Sequence, residues 1–125
     1  MQGKKQYEEK LFTHFQLSDR VPPDNFYRRL KETLNFQWLY KATEKYYGIE
    51  GQPSIDPVVF FKLMLVGYLE NLGSDRRIIN NVRMRMDMLF FIGYAIDEPL
   101  PWHSTLSRTR NCMVKNYSNN YFRKY

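Results

Sequence analysis

GQPSIDPVVFFKLMLVGYLENLGSDRRI, residues 51–78, decides the fold. Asp56 offers a side-chain acceptor to the orphan N–H groups of a helix start, and Pro57 tolerates the missing donor of a first turn, so a helix is expected to begin there. Over residues 58–69 the only charge is Lys62. Apolar residues therefore wrap the whole cylinder, the pattern of a helix packed on several sides, with Phe61 and Leu65 expected in the core. Gly73 is the expected left-handed C-cap and Ser74 the expected cap of the next helix, which makes a tight helix-turn-helix junction. That next helix should turn Ile78, Ile79, Val82 and Met86 inward and Arg76, Arg77, Asn80 and Arg83 outward. Its outer face is basic.

Upstream, residues 1–22 read as an N-terminal arm with some helix, ended by the two prolines of LSDRVPPD. From Asp24 onward Phe26, Leu30 and Leu34 recur every four residues, with Arg28, Arg29, Lys31 and Glu32 on the other side. This is the periodicity of an amphipathic helix. Phe36, Leu39, Tyr40 and Tyr46 suggest a second short helix, closed by the loop YYGIEGQPS. Core packing is the expected use of these aromatics. Downstream, MDMLFFIGYAI is apolar enough for a further buried helical turn or two ending near Gly93, and DEPLPWH is irregular because two prolines flank one leucine. Without alternating partner strands a sheet is not expected.

Ser104 is the expected N-cap of the last helix. If Leu106, Thr109 and Met113 pack inward, about 100° per residue turns Thr105, Arg108, Asn111 and Lys115 outward on one face. Arg can pair with guanine, Asn with adenine, and Thr with phosphate or base, so these residue types suit a major groove. An ordinary exposed polar helix face gives the same pattern. Beyond it, the asparagines of NYSNNYFRKY suit a disordered tail, so residues 23–117 are expected to form the domain and 118–125 the tail.

Composition bounds the rest. The chain has 125 residues, 43% hydrophobic and 17% aromatic, enough for one modest core. The apolar run over 58–69 is too short for a bilayer, MQGKKQYEEKLF lacks the apolar region of a secretory signal, and Cys112 stands alone, so no membrane association and a cytoplasmic setting are expected. Net charge is +6, from 19 Lys+Arg against 13 Asp+Glu, and residues 104–125 hold five basic groups and no acidic one. A short acid-free basic segment is the footprint of polyanion binding, although a solvated tail has the same count.

Motifs for catalysis are lacking. There is no HExxH, paired CxxC, P-loop or G-x-G-x-x-G, the two histidines His14 and His103 lie far apart, and Cys112 has no indicated base. No cofactor, metal or catalytic residue is expected.

Gly51, Pro53, Ser54, Asp56 and Pro57, then Ser74-Asp75-Arg76, then PWHSTLSRTR resemble, in that order, the N-terminal domain of bacterial insertion-sequence transposases of the DDE type, the InsH-like group. VPPDNFYRRL is similar to the opening segment of that family's domain, so the likeness runs over residues 21–110. The resemblance implies a helical domain that binds the terminal inverted repeats of the element. It also implies that full-length members carry a ribonuclease-H-like domain with three acidic metal ligands. No strand-rich segment of these 125 residues could hold that triad, so no Asp or Glu here is expected to cleave or join DNA.

The expected molecule is thus an all-α, compact helical domain with a helix-turn-helix-like portion that binds double-stranded DNA. Base-edge contacts are expected from Thr105, Arg108 and Asn111, and phosphate contacts from Arg76, Arg77, Arg83, Ser104, Arg110 and Lys115. The alternative is an interaction module whose aromatic N-terminal half pairs with another copy, a full-length transposase or a catalytic domain.

Overall fold

Asp56 does what its position before Pro57 predicts. In the computed structural model, which describes the backbone of residues 1–44 and 55–123 and, outside that gap, side chains as far as Met113, its carboxylate accepts from the N–H groups of Val58 and Val59. Seven helices follow one another among the described residues, with no strand: α1 (Leu17–Arg20), α2 (Phe26–Thr33), α3 (Trp38–Ala42), α4 (Pro57–Leu69), α5 (Asp75–Arg83), α6 (Met86–Ile92) and α7 (His103–Arg123). The all-α expectation holds. Tyr46, the loop YYGIEGQPS and the motif residues Gly51, Pro53 and Ser54 lie outside the described residues.

Helix α4 is central, packing on α3, α5 and α6. Its fully buried residues are Phe60, Leu63 and Val66, whereas the expected core residues Phe61 and Leu65 are half-buried and pack on the rim of the core. A run that is apolar all round carries no phase, so its neighbours choose which positions go deepest. Gly67 lets α5 come close: a Cβ there would stand 2.6 Å from Cδ1 of Ile78.

The junction after α4 closes differently from the expectation. Asn71, with φ 55°, takes the left-handed position instead of Gly73. The Leu72 N–H returns to the Gly67 carbonyl at 2.8 Å and the Asn71 N–H to Tyr68 at 3.3 Å, the paired bonds of a Schellman motif. Asn tolerates this backbone better than other side chains. Ser74 follows in extended backbone, and its hydroxyl accepts from the Arg77 N–H and caps α5 as expected.

Two faces are rotated relative to the sequence reading. On α2 the buried residue is Tyr27, not Phe26 or Leu34, both exposed. Its ring meets Phe91 at 5.5 Å between centroids, and its hydroxyl donates to Glu70 at 2.6 Å. Burial, then that hydrogen bond, push the phenol above its ordinary pKa. Met86 also departs from its expected inward position. α5 ends at Arg83, Met86 opens α6, and it is exposed. α6 buries Met88, Leu89, Phe91 and Ile92 and ends at Gly93, whose φ of 87° needs glycine's freedom, as expected.

The arm is irregular and exposed over residues 1–16, and its short helix α1 packs on α6. At the other end, the α7 backbone continues through the expected tail as far as Arg123. No helix among the described residues is long and apolar enough to cross a membrane, and no group of three His, Cys, Asp or Glu is placed to hold a metal.

Candidate nucleic-acid interface

Helices α5 and α7 pack together, and one carboxylate fixes how. Asp75, in the first turn of α5 and only 7% exposed, accepts from the Ser107 hydroxyl at 2.6 Å. It also accepts from both terminal nitrogens of the Arg110 guanidinium, one at 3.1 Å and the other as a close ion pair. A bidentate Arg–carboxylate pair sets orientation as well as distance, so Asp75 fixes the rotation of α7 about its axis. The same guanidinium lies 3.0 Å from the Met64 sulfur on α4. Leu106, fully buried, and Met113, half-buried, complete the inward stripe.

This rotation leaves Ser104, Arg108, Asn111 and Cys112 exposed. Arg108 and Asn111 thus point outward as expected. Thr105 is half-buried at the flank of that stripe, 3.5 Å from an Arg108 nitrogen. Ser104 is not the N-cap. The helix begins at His103, with the Trp102 carbonyl accepting from Thr105 and Leu106, and Ser104 falls inside the first turn. Lys115 lies on α7 among residues whose side chains are outside the described set.

On α5, Ile78, Ile79 and Val82 are buried as expected. Arg76, Arg77, Asn80 and Arg83 are exposed. At 100° per residue, Arg76, Asn80 and Arg83 form one row and Arg77 lies to its other side with Asn81. Among the described residues, the guanidinium groups of Arg76, Arg77 and Arg83 have neither an ion pair nor a hydrogen bond.

Several cations elsewhere are occupied. Arg28 donates to the carbonyls of Ser18 and Val21 at 2.6 and 2.7 Å and lies over the Phe90 ring. Lys31 donates to the Phe90 carbonyl, and Lys62 lies over Phe91. Burial, with Arg28 nearby, lowers the Lys31 pKa, and burial, with Lys31 nearby, lowers that of Lys62. Arg85 is paired with Asp87 at 2.7 Å. Burial alone would raise the Asp87 carboxyl, but hydrogen bonds from Arg85 and Asn25 outweigh it and hold it below the usual carboxylate range.

Arg110 therefore belongs with the occupied cations, although the sequence placed it among the phosphate contacts. Sequence reasoning missed Asp75 as the residue that holds α7. The available signal was that Asp75 and Arg110 fall in two of the separate stretches that carry the sequence resemblance, SDR and SRTR.

A family model described as "Transposase domain (DUF772)" matches residues 15–112. No curated protein and no solved structure gives a match.

Proposed function

Since the chain belongs to the transposase-domain family DUF772, we propose that it binds double-stranded DNA through α5 and α7, as the end-binding part of a DDE-type transposase of the InsH-like group. The observation that carries this reading is the grouping of exposed arginines on two packed helices, Arg76, Arg77 and Arg83 on α5 and Arg108 on α7, while Arg28, Lys31, Lys62, Arg85 and Arg110 are engaged with the protein. Phosphate contacts then come from Arg76, Arg77 and Arg83, which neutralise backbone charge and release counterions. The contacts expected from Ser104 and Lys115 on α7 complete the phosphate set. Base-edge contacts come from Arg108 and Asn111, with Thr105 supporting Arg108. Arg110 is left out of the phosphate set.

In this reading α4, the Asn71 turn and α5 form the helix-turn-helix-like portion, and α7 is the reading helix held against it by Asp75. The chain itself does no strand chemistry, and the terminal inverted repeats are its target. The test is Arg108→Ala against an element-end duplex and a scrambled one. Loss of about 1–3 kcal/mol on the element end, with relaxed preference at one base pair, supports base reading. Equal wild-type affinity for both duplexes sinks specific recognition.

A second reading has its own observation. Phe26 on α2 and Trp38 on α3 are 56% and 63% exposed, as a surface that pairs with another copy or with a catalytic domain would require. Phe26→Ser with Trp38→Ser should abolish such pairing in a sedimentation experiment and leave duplex binding unchanged.

A further inference from the structure

Between α5 and the loop leading to α7 lies a cleft of about 570 Å³. One wall carries Arg76, Asn80 and Arg83, and the other carries Asp97 and Trp102. Trp102 is 77% exposed, a costly position for so large an apolar ring unless something covers it. Its backbone is not loose: Pro101 precedes it, and its carbonyl accepts from the N–H groups of Thr105 and Leu106 at 3.0 and 3.3 Å. The indole is therefore presented from a fixed point beside two guanidiniums that have no partner among the described residues. Glu98, also in the cleft, accepts from the Ala95 N–H, whereas the Asp97 carboxylate has no hydrogen bond or ion pair among the described residues.

We propose that this cleft binds one unpaired nucleotide, its base stacked on Trp102 and its phosphate held by Arg76 and Arg83. The proposal rests on the DNA-binding reading above and adds the form of strand the domain accepts. Cationic groups beside an exposed aromatic ring are the chemistry of single-strand binding, because every base has a face to stack and every nucleotide a phosphate to neutralise. Inside a duplex both faces of a base are covered by its neighbours, so Trp102 needs a base out of the stack. The cleft volume lies in the range of small-ligand sites, which suits one nucleotide rather than a helix. Asp97 fixes the orientation. It repels the phosphate toward α5, and it accepts from an exocyclic amine, which cytosine and adenine carry and thymine lacks.

The experiment uses the full chain with Trp38→Phe, so that Trp102 is the only tryptophan, and three probes: a short oligodeoxycytidylate, a short oligothymidylate and a duplex closed by hairpins at both ends. Oligodeoxycytidylate should quench Trp102 emission and bind more tightly than oligothymidylate. Trp102→Ala should weaken oligonucleotide binding roughly 5- to 100-fold, the fold-change of one lost stacking contact, and Trp102→Phe should recover most of it. Asp97→Asn should remove the preference for cytosine. Because both side chains are largely exposed, melting temperatures should stay level, which separates lost binding from lost fold. Emission unchanged at saturating oligonucleotide, or Trp102→Ala binding like its parent, overturns the cleft even if the closed duplex is bound. Quenching by the oligonucleotide without any binding of the closed duplex supports the cleft and overturns the duplex reading instead.

Discussion

The α2–α6 side and the α5–α7 side of the molecule use the same residue type for opposite ends. On the first, Arg28 ties α2 to the carbonyls at the end of α1, Lys31 caps the Phe90 carbonyl, and Arg85 closes on Asp87. There Arg20 on α1 and Arg29 on α2 are exposed, with no side-chain partner among the described residues. On the second, Arg76, Arg77, Arg83 and Arg108 are exposed; Arg108 reaches only Thr105 of its own helix, at 3.5 Å, whereas Arg110 is tied to α5 by Asp75. A cation held by a carboxylate, a backbone carbonyl or a ring is part of the fold, whereas one without such a partner is available to a ligand. Net charge cannot make that distinction, because the +6 counts both kinds alike.

Substitutions can break or sharpen this contrast. The largest effect belongs to the core that both sides share: Leu63→Ala should cost about 2–5 kcal/mol in chemical denaturation, since the side chain is fully buried. Phe61→Ala, at the half-buried rim, should cost less, and the reverse order would mean that α4 is rotated. Next comes Arg28→Met, which removes a charged donor from two carbonyls. It should lower stability by about 2 kcal/mol and leave duplex affinity, compared at equal folded fraction, unchanged. If duplex affinity fell as much as it does for Arg76→Ala, the two sides would not differ in kind.

Asp75→Asn should cost about 1–2 kcal/mol in stability, discounted because the Arg110 side chain is 42% exposed. Its more telling effect is on the ratio of element-end to scrambled affinity, which should fall because α7 is no longer held in one rotation. A ratio that survives would show that Leu106 and Met113 position α7 unaided.

The smallest effect is in pH. The folded Asp87 carboxyl sits below its unfolded pKa, so it contributes stability that is fully present above about pH 4 and is lost as pH falls through the folded value. Melting temperature should drop on acidification below that point, and Asp87→Asn should flatten part of the drop. An identical acid profile in the variant would remove Asp87 from the account.

The parts of the fold that were legible in the sequence are those set by local chemistry. Asp56 before Pro57, Ser74 before a patterned helix and Gly93 after an apolar run each act within a few residues of themselves. The misread parts depend on distant partners or on packing. Asn71 displaced Gly73 because the Schellman closure is counted from the end of α4, and that end is set by how far α4 packs. The turn of α2 onto Tyr27 depends on Glu70 and Phe91, 43 and 64 residues away, where periodicity shows only that some face must be buried. The break before Met86 carries neither glycine nor proline. At the candidate interface, the exposure of Arg76, Arg77, Arg83 and Arg108 followed from helical spacing. The loss of Arg110 to Asp75 did not, because the pair is separated by 35 residues.

The central claim is that the unengaged arginines of α5 meet DNA phosphate. Its most direct test is the salt dependence of duplex binding by the wild type and by the triple variant Arg76→Ala, Arg77→Ala, Arg83→Ala, each confirmed folded by its melting temperature. Each phosphate contact contributes about 0.9 to the slope of log affinity against log salt, so the triple variant should lose about 2.7 from that slope, on every sequence alike, with little change in melting temperature. A slope equal to that of the wild type, or a wild type that binds no duplex at low salt, would contradict it.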